Sequence, residues 1–428
     1  MIRRYSRRLL HLDILLAIIC SAVMGTGVFA SGQAFFVAPP PKPATVEVLN
    51  NGGRVLKAGG TTYLLLNDDP QTKESSHLAT IDEGGKLQIL AEADCVGIFY
   101  LNGRILFSSS ANTYSFDIAS HKSSSVTSGD VCFVDDDLDR VYICKPSWDK
   151  DKMDGIYSVA QDGSDLRCVV EGECQFLARE GDDIYYSVKE GNRRVIFSTG
   201  LHGGVPVLIA SEISLYAGES YYMSEIPPDI ADFGISEDRI VYSYGYFEGS
   251  AAMFFGFIGS VKKDGSDKKT IGPVFTHEFS VSDGWLFRNY WNESQGVEGE
   301  GTMGAQRIMC DLSEKKNFPR GLLLSEITDG HHIVLFKQDM TSAKPDMCIS
   351  DSDGKNTRVL VRGSYYNGNV KDGDYLAYEN IEVVGDWIYF DTQVRGYRGN
   401  LGWRDEIISS ETNRIRLDGT GYMTIAGN

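Results

Sequence analysis

An all-β fold is what the sequence predicts, on three observations. Short aromatic and β-branched runs recur along the chain, Asp-Gly turns recur between them, and no helical spacing of apolar residues follows the first forty positions. The runs and turns also keep a common order, which makes them copies of one unit.

The carboxyl-terminal copy is the clearest. Gly385-Asp386-Trp387-Ile388-Tyr389-Phe390 forms one strand and Arg414-Ile415-Arg416-Leu417 the next, and Asp418-Gly419-Thr420-Gly421 turns into Tyr422-Met423-Thr424-Ile425. Asp139-Arg140-Val141-Tyr142-Ile143, Asp182-Asp183-Ile184-Tyr185-Tyr186 and Asp238-Arg239-Ile240-Val241-Tyr242 open three more units. Further units start near Thr61, Gly103, Gly284 and His331, and Asp162-Gly163-Ser164-Asp165 and Asp264-Gly265-Ser266-Asp267 repeat the turn. An Asp-Gly pair between alternating strands predicts a type I′ hairpin, whose two central residues both need positive φ.

The spacing of the starts suits blades of roughly 40 to 50 residues. The prediction is therefore a β-propeller of about eight four-stranded blades spanning residues 46–428, with seven blades and an irregular unit as the alternative. A radial array also leaves no long sheet edge exposed.

These residues resemble a family of bacterial propellers of unassigned function, related to the low-density-lipoprotein-receptor type and more distantly to the TolB type. The last unit carries the resemblance best, and residues 139–272 carry it moderately. The receptor-type Tyr-Trp-Thr-Asp tetrapeptide is replaced by Ile388-Tyr389-Phe390-Asp391, which argues against a close receptor relationship. The resemblance implies an exported propeller used for binding, and it transfers no catalytic residue.

Residues 1–13 form a basic region with Arg3, Arg4, Arg7 and Arg8, and residues 14–38 contain no charged side chain. That run exceeds the roughly 20 residues that a membrane helix needs. It predicts a transmembrane signal anchor with the remainder extracytoplasmic, or a signal peptide cleaved after the Val28 and Ala30 pattern and a secreted product. Residues 39–45, beginning Pro39-Pro40-Pro41-Lys42-Pro43, read as a stiff spacer.

The net charge is −18, and it falls to about −21 without residues 1–30, whose four arginines face a single acid, Asp13. Such a surface repels phosphate backbones, so no nucleic-acid partner is expected. Of eight cysteines, seven follow the apolar run. Cys132 with Cys144 and Cys168 with Cys174 flank short connections, so two bridges are conceivable beside buried free thiols. No Cys-x-x-Cys pair occurs, and no cofactor or metal is expected. Asp149, Asp151, Asp154 and Gly155 resemble a calcium loop, but with the wrong spacing and no closing Glu.

If strands are lettered A to D outward from the axis, each alignable strand is B and each Asp-Gly turn joins C to D. The B–C connections and the D–A links then share the opposite face, where the long insertions fall: 146–154, 245–252, 291–306, 393–412 and the link 211–235. Candidate ligand-binding residues there are Trp148, Tyr246, Phe247, Trp291, Tyr397 and Trp403 as rigid contact groups, with Arg395, Arg398 and Arg404 for carboxylates or planar groups. Carboxylates are plentiful in these insertions, but nothing selects a catalytic pair, and no nucleophile elbow, His-Glu-x-x-His or phosphate loop appears. The expected function is binding of an extracytoplasmic protein, peptide or glycan rather than catalysis. A structural envelope component and a carbohydrate-active enzyme are the alternatives.

Overall fold

The computed structural model describes residues 46–427 except 67–74, 96, 110, 146–153, 214–226, 249–252, 275–277, 293–301, 320, 328–331, 338–343, 367–369, 372 and 399–403. The segments 1–13, 14–38 and 39–45 lie outside the described residues. Among the described residues no helix is long and apolar enough to cross a membrane.

Eight antiparallel sheets follow one another along the chain, at 48–95, 98–128, 130–171, 174–213, 229–274, 279–317, 322–361 and 374–427. Seven have four strands, and the first carries an additional two-residue strand, Val48–Leu49, on its inner edge. The fold is therefore an eight-bladed β-propeller, the larger of the two predicted counts. Its B strands are Thr61–Leu66, Arg104–Ser109, Arg140–Lys145, Asp183–Glu190, Arg239–Glu248, Trp285–Asn292, His332–Lys337 and Trp387–Arg398. Each lies where the repeat placed it.

The B strands read as near-continuous apolar runs because both of their faces are buried. In blade five Ile240, Tyr242 and Tyr244 pack toward blade four, whereas Val241 between them packs toward blade six. This period of two repeats around the ring, so the core divides into clusters that each fill one gap between neighbouring blades. The last gap is filled in the same way. Val384 and Tyr389 of blade eight pack with Val55, Leu64, Leu66, Ala79 and Ile81 of blade one.

Among the described residues no strand is shared between the first and last blades. Side chains close the ring instead. Glu382 accepts hydrogen bonds from the backbone N–H groups of Arg54 and Val55 at 2.7 and 2.9 Å and from Asn50 Nδ2 at 2.7 Å. Arg54 also donates to Asp391.

The Asp-Gly turns join C to D as expected, but their geometry is not type I′. Gly163, Gly265, Gly354 and Gly419 have positive φ, and the aspartate before each does not. Gly163 N–H donates to the Ala160 carbonyl and Ala160 N–H to the Ser164 carbonyl, and blade five repeats this with Gly265, Lys262 and Ser266. This is a type I turn followed by a left-handed glycine, the three-residue hairpin rather than the two-residue one. The aspartate carboxylate fixes it by accepting the N–H two residues ahead, as in Asp162 with Ser164 at 2.9 Å. Positive φ at both central residues occurs at A–B turns, at Gly59-Gly60, Asn102-Gly103 and Asp283-Gly284.

Cys132 and Cys144 form a disulfide across the A–B hairpin of blade three, and Cys95, Cys168, Cys174, Cys310 and Cys348 are thiols outside any disulfide. The second conceivable bridge, Cys168 with Cys174, is not made.

Candidate functional site

Alternation of strand direction puts the B–C turns and the D–A links on the face opposite the Asp-Gly turns. Among the described residues, blades five, six and eight stand out on that face. Their B and C strands continue pairing past the ends of the A and D strands.

In blade five the A strand ends its pairing at Gly245 and the D strand at Gly256, yet the B–C ladder runs on to Glu248 opposite Met253. In blade six it extends past Arg288 and Gln306 to Asn292 opposite Thr302. In blade eight it extends past Gly396 to Arg398 opposite Arg404. Much of what was expected as loop at 245–252, 291–306 and 393–412 is thus two-stranded ribbon. Backbone polar groups in these insertions find partners across the ribbon, which an irregular loop would have to leave to water. The link 211–235 shortens in the same way, because Val207–Ile213 and Asp229–Ile235 are strands.

The predicted binding residues distribute over these ribbons. Tyr246 and Phe247 stand on the blade-five ribbon opposite Phe255 and Phe254, and Trp291 stands on the blade-six ribbon opposite Met303. Tyr397 and Arg398 pair with Asp405 and Arg404 on the blade-eight ribbon. Trp148 and Trp403 lie outside the described residues, as do Asp149 and Asp151 of the calcium-like pattern.

Arg395 stands at the base of the blade-eight ribbon, on the strand Trp387–Arg398. It is half-buried, donates to Gln393 Oε1 from Nε at 3.0 Å and from Nη2 at 2.7 Å, and pairs with Glu379 at 3.2 Å. These contacts tie its guanidinium to the ribbon base.

Other ribbon bases are fixed by residues that sequence patterns did not single out. At blade six Asn289 Nδ2 donates to the Leu324 carbonyl at 2.9 Å, and Leu324 N–H donates back to Asn289 Oδ1 at 2.7 Å. Beside it Arg288 is buried, and desolvation pushes its guanidinium down to about 10. At blade eight Asn413 donates to Thr392 Oγ1 at 2.8 Å, and Glu411 beside it is raised above the usual carboxylate range by burial. At blade five the Tyr244 and Phe257 rings stack with centroids 5.7 Å apart, and burial raises the Tyr244 hydroxyl. Local amide pairs of this kind leave no signature in a single sequence.

No group of three or more His, Cys, Asp or Glu side chains is placed to hold a metal ion among the described residues. Asp405 and Glu406 fall opposite Tyr397 and Gly396, and Asp149, Asp151, Glu293, Glu298 and Glu300 lie outside the described residues.

No protein-family model matches the chain, and no curated protein matches it. Among solved structures it is similar to the β-propeller domain of the Trilobed protease from Pyrococcus furiosus. That match has 8% identity and a TM-score of 0.42, and it covers 89% of this chain and 97% of that one. It is also similar to a putative TolB from Agrobacterium tumefaciens, at 13% identity and a TM-score of 0.33, over 65% of this chain and 87% of that one. The tricorn protease matches at 11% identity and a TM-score of 0.42 over 88% of this chain, which spans only 40% of the tricorn chain.

Proposed function

We propose that the chain is an extracytoplasmic interaction module, tethered to the membrane by its amino-terminal segment, that binds a protein, peptide or envelope glycan through the ribbon face. The observation that carries this reading is the set of two-stranded ribbons on one face of a rigid eight-bladed ring. Ladder hydrogen bonds and fixed bases give them little entropy to lose on binding. Tyr246, Phe247, Trp291 and Tyr397 supply large contact groups of the kind that dominate interfaces, and Arg398 and Arg404 supply planar donors. The net charge of −18 disfavours a nucleic acid as the partner.

The test is co-purification of the intact chain from its native membranes beside a variant carrying Trp148→Ala, Trp291→Ala, Tyr397→Ala and Trp403→Ala. Mass spectrometry of the bound material should show one or more partners that the variant loses. Identical partners in both samples would remove the ribbon face from consideration and favour a structural role in the envelope.

A further inference from the structure

We propose a second binding site on the opposite face, in the recess where blade eight meets blade one, and the structure assigns it a sugar acid: a hydroxylated ring that carries a carboxylate. The recess has a volume of about 520 Å³, within the range of small-molecule sites. Blade one contributes its A–B and C–D turns, with Lys57, Thr62, Thr80 and Lys86, and blade eight contributes Trp387 and Arg414.

Two of the cations there are unpaired. Lys57 and Lys86 make no ion pair among the described residues. Arg414, 2% exposed, donates from Nη1 to the Asp82 carbonyl at 3.1 Å and from Nη2 to the Glu83 carbonyl at 2.8 Å, while its buried Nε–H has no acceptor. That nitrogen is closed off from solvent, so the groups open to a ligand are the two ammonium groups and the threonine hydroxyls. The Asp82 and Glu83 side chains also line the recess, and Asp82 Oδ1 accepts the Lys86 backbone N–H at 2.8 Å. Three cations against two carboxylates leave the recess locally positive on a chain of net charge −18, which focuses an anion there.

Part of this arrangement is architecture. In blade six Arg307 lies over Trp285 at 4.3 Å and donates to the Ser352 carbonyl of the next blade, as Arg414 lies over Trp387 at 4.3 Å and reaches blade one. What the junction of blades eight and one adds is the two unpaired lysines and the hydroxyls of Thr61, Thr62 and Thr80, with Gln88 also in the lining. Those groups suit a ligand with one carboxylate and several hydroxyls. A neutral sugar would instead seek the indole face, but the guanidiniums of Arg414 and Arg416 both lie over the Trp387 ring, at 4.3 and 4.8 Å.

The site is independent of the ribbon face, and its test uses the full chain in detergent with glucuronate, glucose, acetate and inorganic phosphate as probes in calorimetric titration. Glucuronate is expected to bind with a Kd on the order of 1 mM, as a small ligand of its size allows, and glucose and acetate at least ~10-fold more weakly. Lys57→Ala with Lys86→Ala should weaken glucuronate at least ~10-fold. Lys86 is exposed, Lys57 is half-buried and neither has an ion pair to lose, so the thermal midpoint should stay within a few degrees of the native value. A trimeric uronate that binds more tightly than the monomer assigns the site to the end of an acidic glycan, and equal affinity assigns it to the free sugar acid. The proposal is overturned if glucose or phosphate equals glucuronate, or if the double variant binds as well as the native chain.

Discussion

Arg54 Nη1 lies 2.8 Å from Asp391 Oδ2, although the two residues stand 337 positions apart in the chain. Asp391 is buried and also accepts from Asn380 Nδ2 and Thr412 Oγ1, each at 2.8 Å, so its carboxylate is the centre of a small network behind blade eight. Because no strand crosses from the last blade to the first among the described residues, this pair, Glu382, Arg414 and one apolar cluster bridge the junction. Asp391→Ala leaves a mostly buried guanidinium without its partner and should lower the stability of the ring by roughly 3 kcal/mol. Arg54→Met combined with Asp391→Leu should cost less than Asp391→Ala alone, since no buried charge is then orphaned. Urea unfolding followed by tryptophan fluorescence reads both, and a larger loss in the double variant would show that the pair does not act as a latch.

A guanidinium reaches the same corner of several blades by two routes. In blades three and five it comes from the first residue of the B strand. Arg140 and Arg239 each donate from Nε to a C-strand serine, Ser158 and Ser260, and from Nη1 to an aspartate after the C–D turn, Asp165 and Asp267, at 2.8 Å. In blades six and eight that first residue is Trp285 or Trp387, and the C-strand position of the serine is Arg307 or Arg414, each opposite the third residue of the B strand. Arg239→Trp alone should destabilise blade five by about 2 to 3 kcal/mol, because a buried network loses its donor. Arg239→Trp with Ser260→Arg should recover at least half of that loss by rebuilding the arrangement of blade six. A double-mutant cycle in chemical unfolding gives the coupling, and a coupling near zero would show that the two arrangements are not interchangeable.

The sequence reveals a blade through its B strand because burial on both faces leaves a run such as Ile240-Val241-Tyr242 apolar at every position. A and D strands carry weaker patterns, since one face of each is partly wet, as in Lys122–Ser128, which is exposed or half-buried throughout. The turn positions were legible from Asp-Gly, but the turn type was not. Which side of the glycine takes positive φ depends on the register of the flanking strands, and Ala160 opposite Arg140 sets that here. The ribbons escaped for another reason. Pairing such as Gly396 with Glu406 has no alternation to announce it, and only the neighbouring ladder extends it. The ring closure was invisible too, because Arg54, Glu382 and Asp391 are ordinary surface residue types that become partners only when the ends of the array meet.

The Asp-Gly face should make stability depend on acid in a defined direction. Hydrogen bonds from the side chain and backbone two residues ahead hold Asp162, Asp264, Asp311, Asp353 and Asp418 below the usual carboxylate range. A carboxylate depressed in the folded state stabilises it above the unfolded value of about 3.9, and that contribution is lost as pH falls through the folded value. Ser164→Ala, Ser266→Ala and Thr420→Val together should therefore lower the thermal midpoint at pH 7, and the difference from the native chain should narrow toward pH 2.5. A difference that widened in acid would mean that these turns are not held by ionised aspartates.

Thiol reactivity should sort by blade position. Cys95, Cys310 and Cys348 are buried in the clusters between blades one and two, five and six, and six and seven. Burial pushes the Cys310 and Cys174 thiols up to about 11, and it raises the exposed Cys168 as well. Only the thiolate is alkylated, so both access and ionisation protect the buried set. Iodoacetamide at pH 8 on the folded chain should modify Cys168 first and Cys174 more slowly, with the Cys174 rate still rising above pH 9. Cys95, Cys310 and Cys348 should react only after unfolding, and Cys132 and Cys144 only after reduction as well. Peptide mass mapping at each stage gives the order, and early modification of Cys310 would show that the gap between blades five and six opens in the native state.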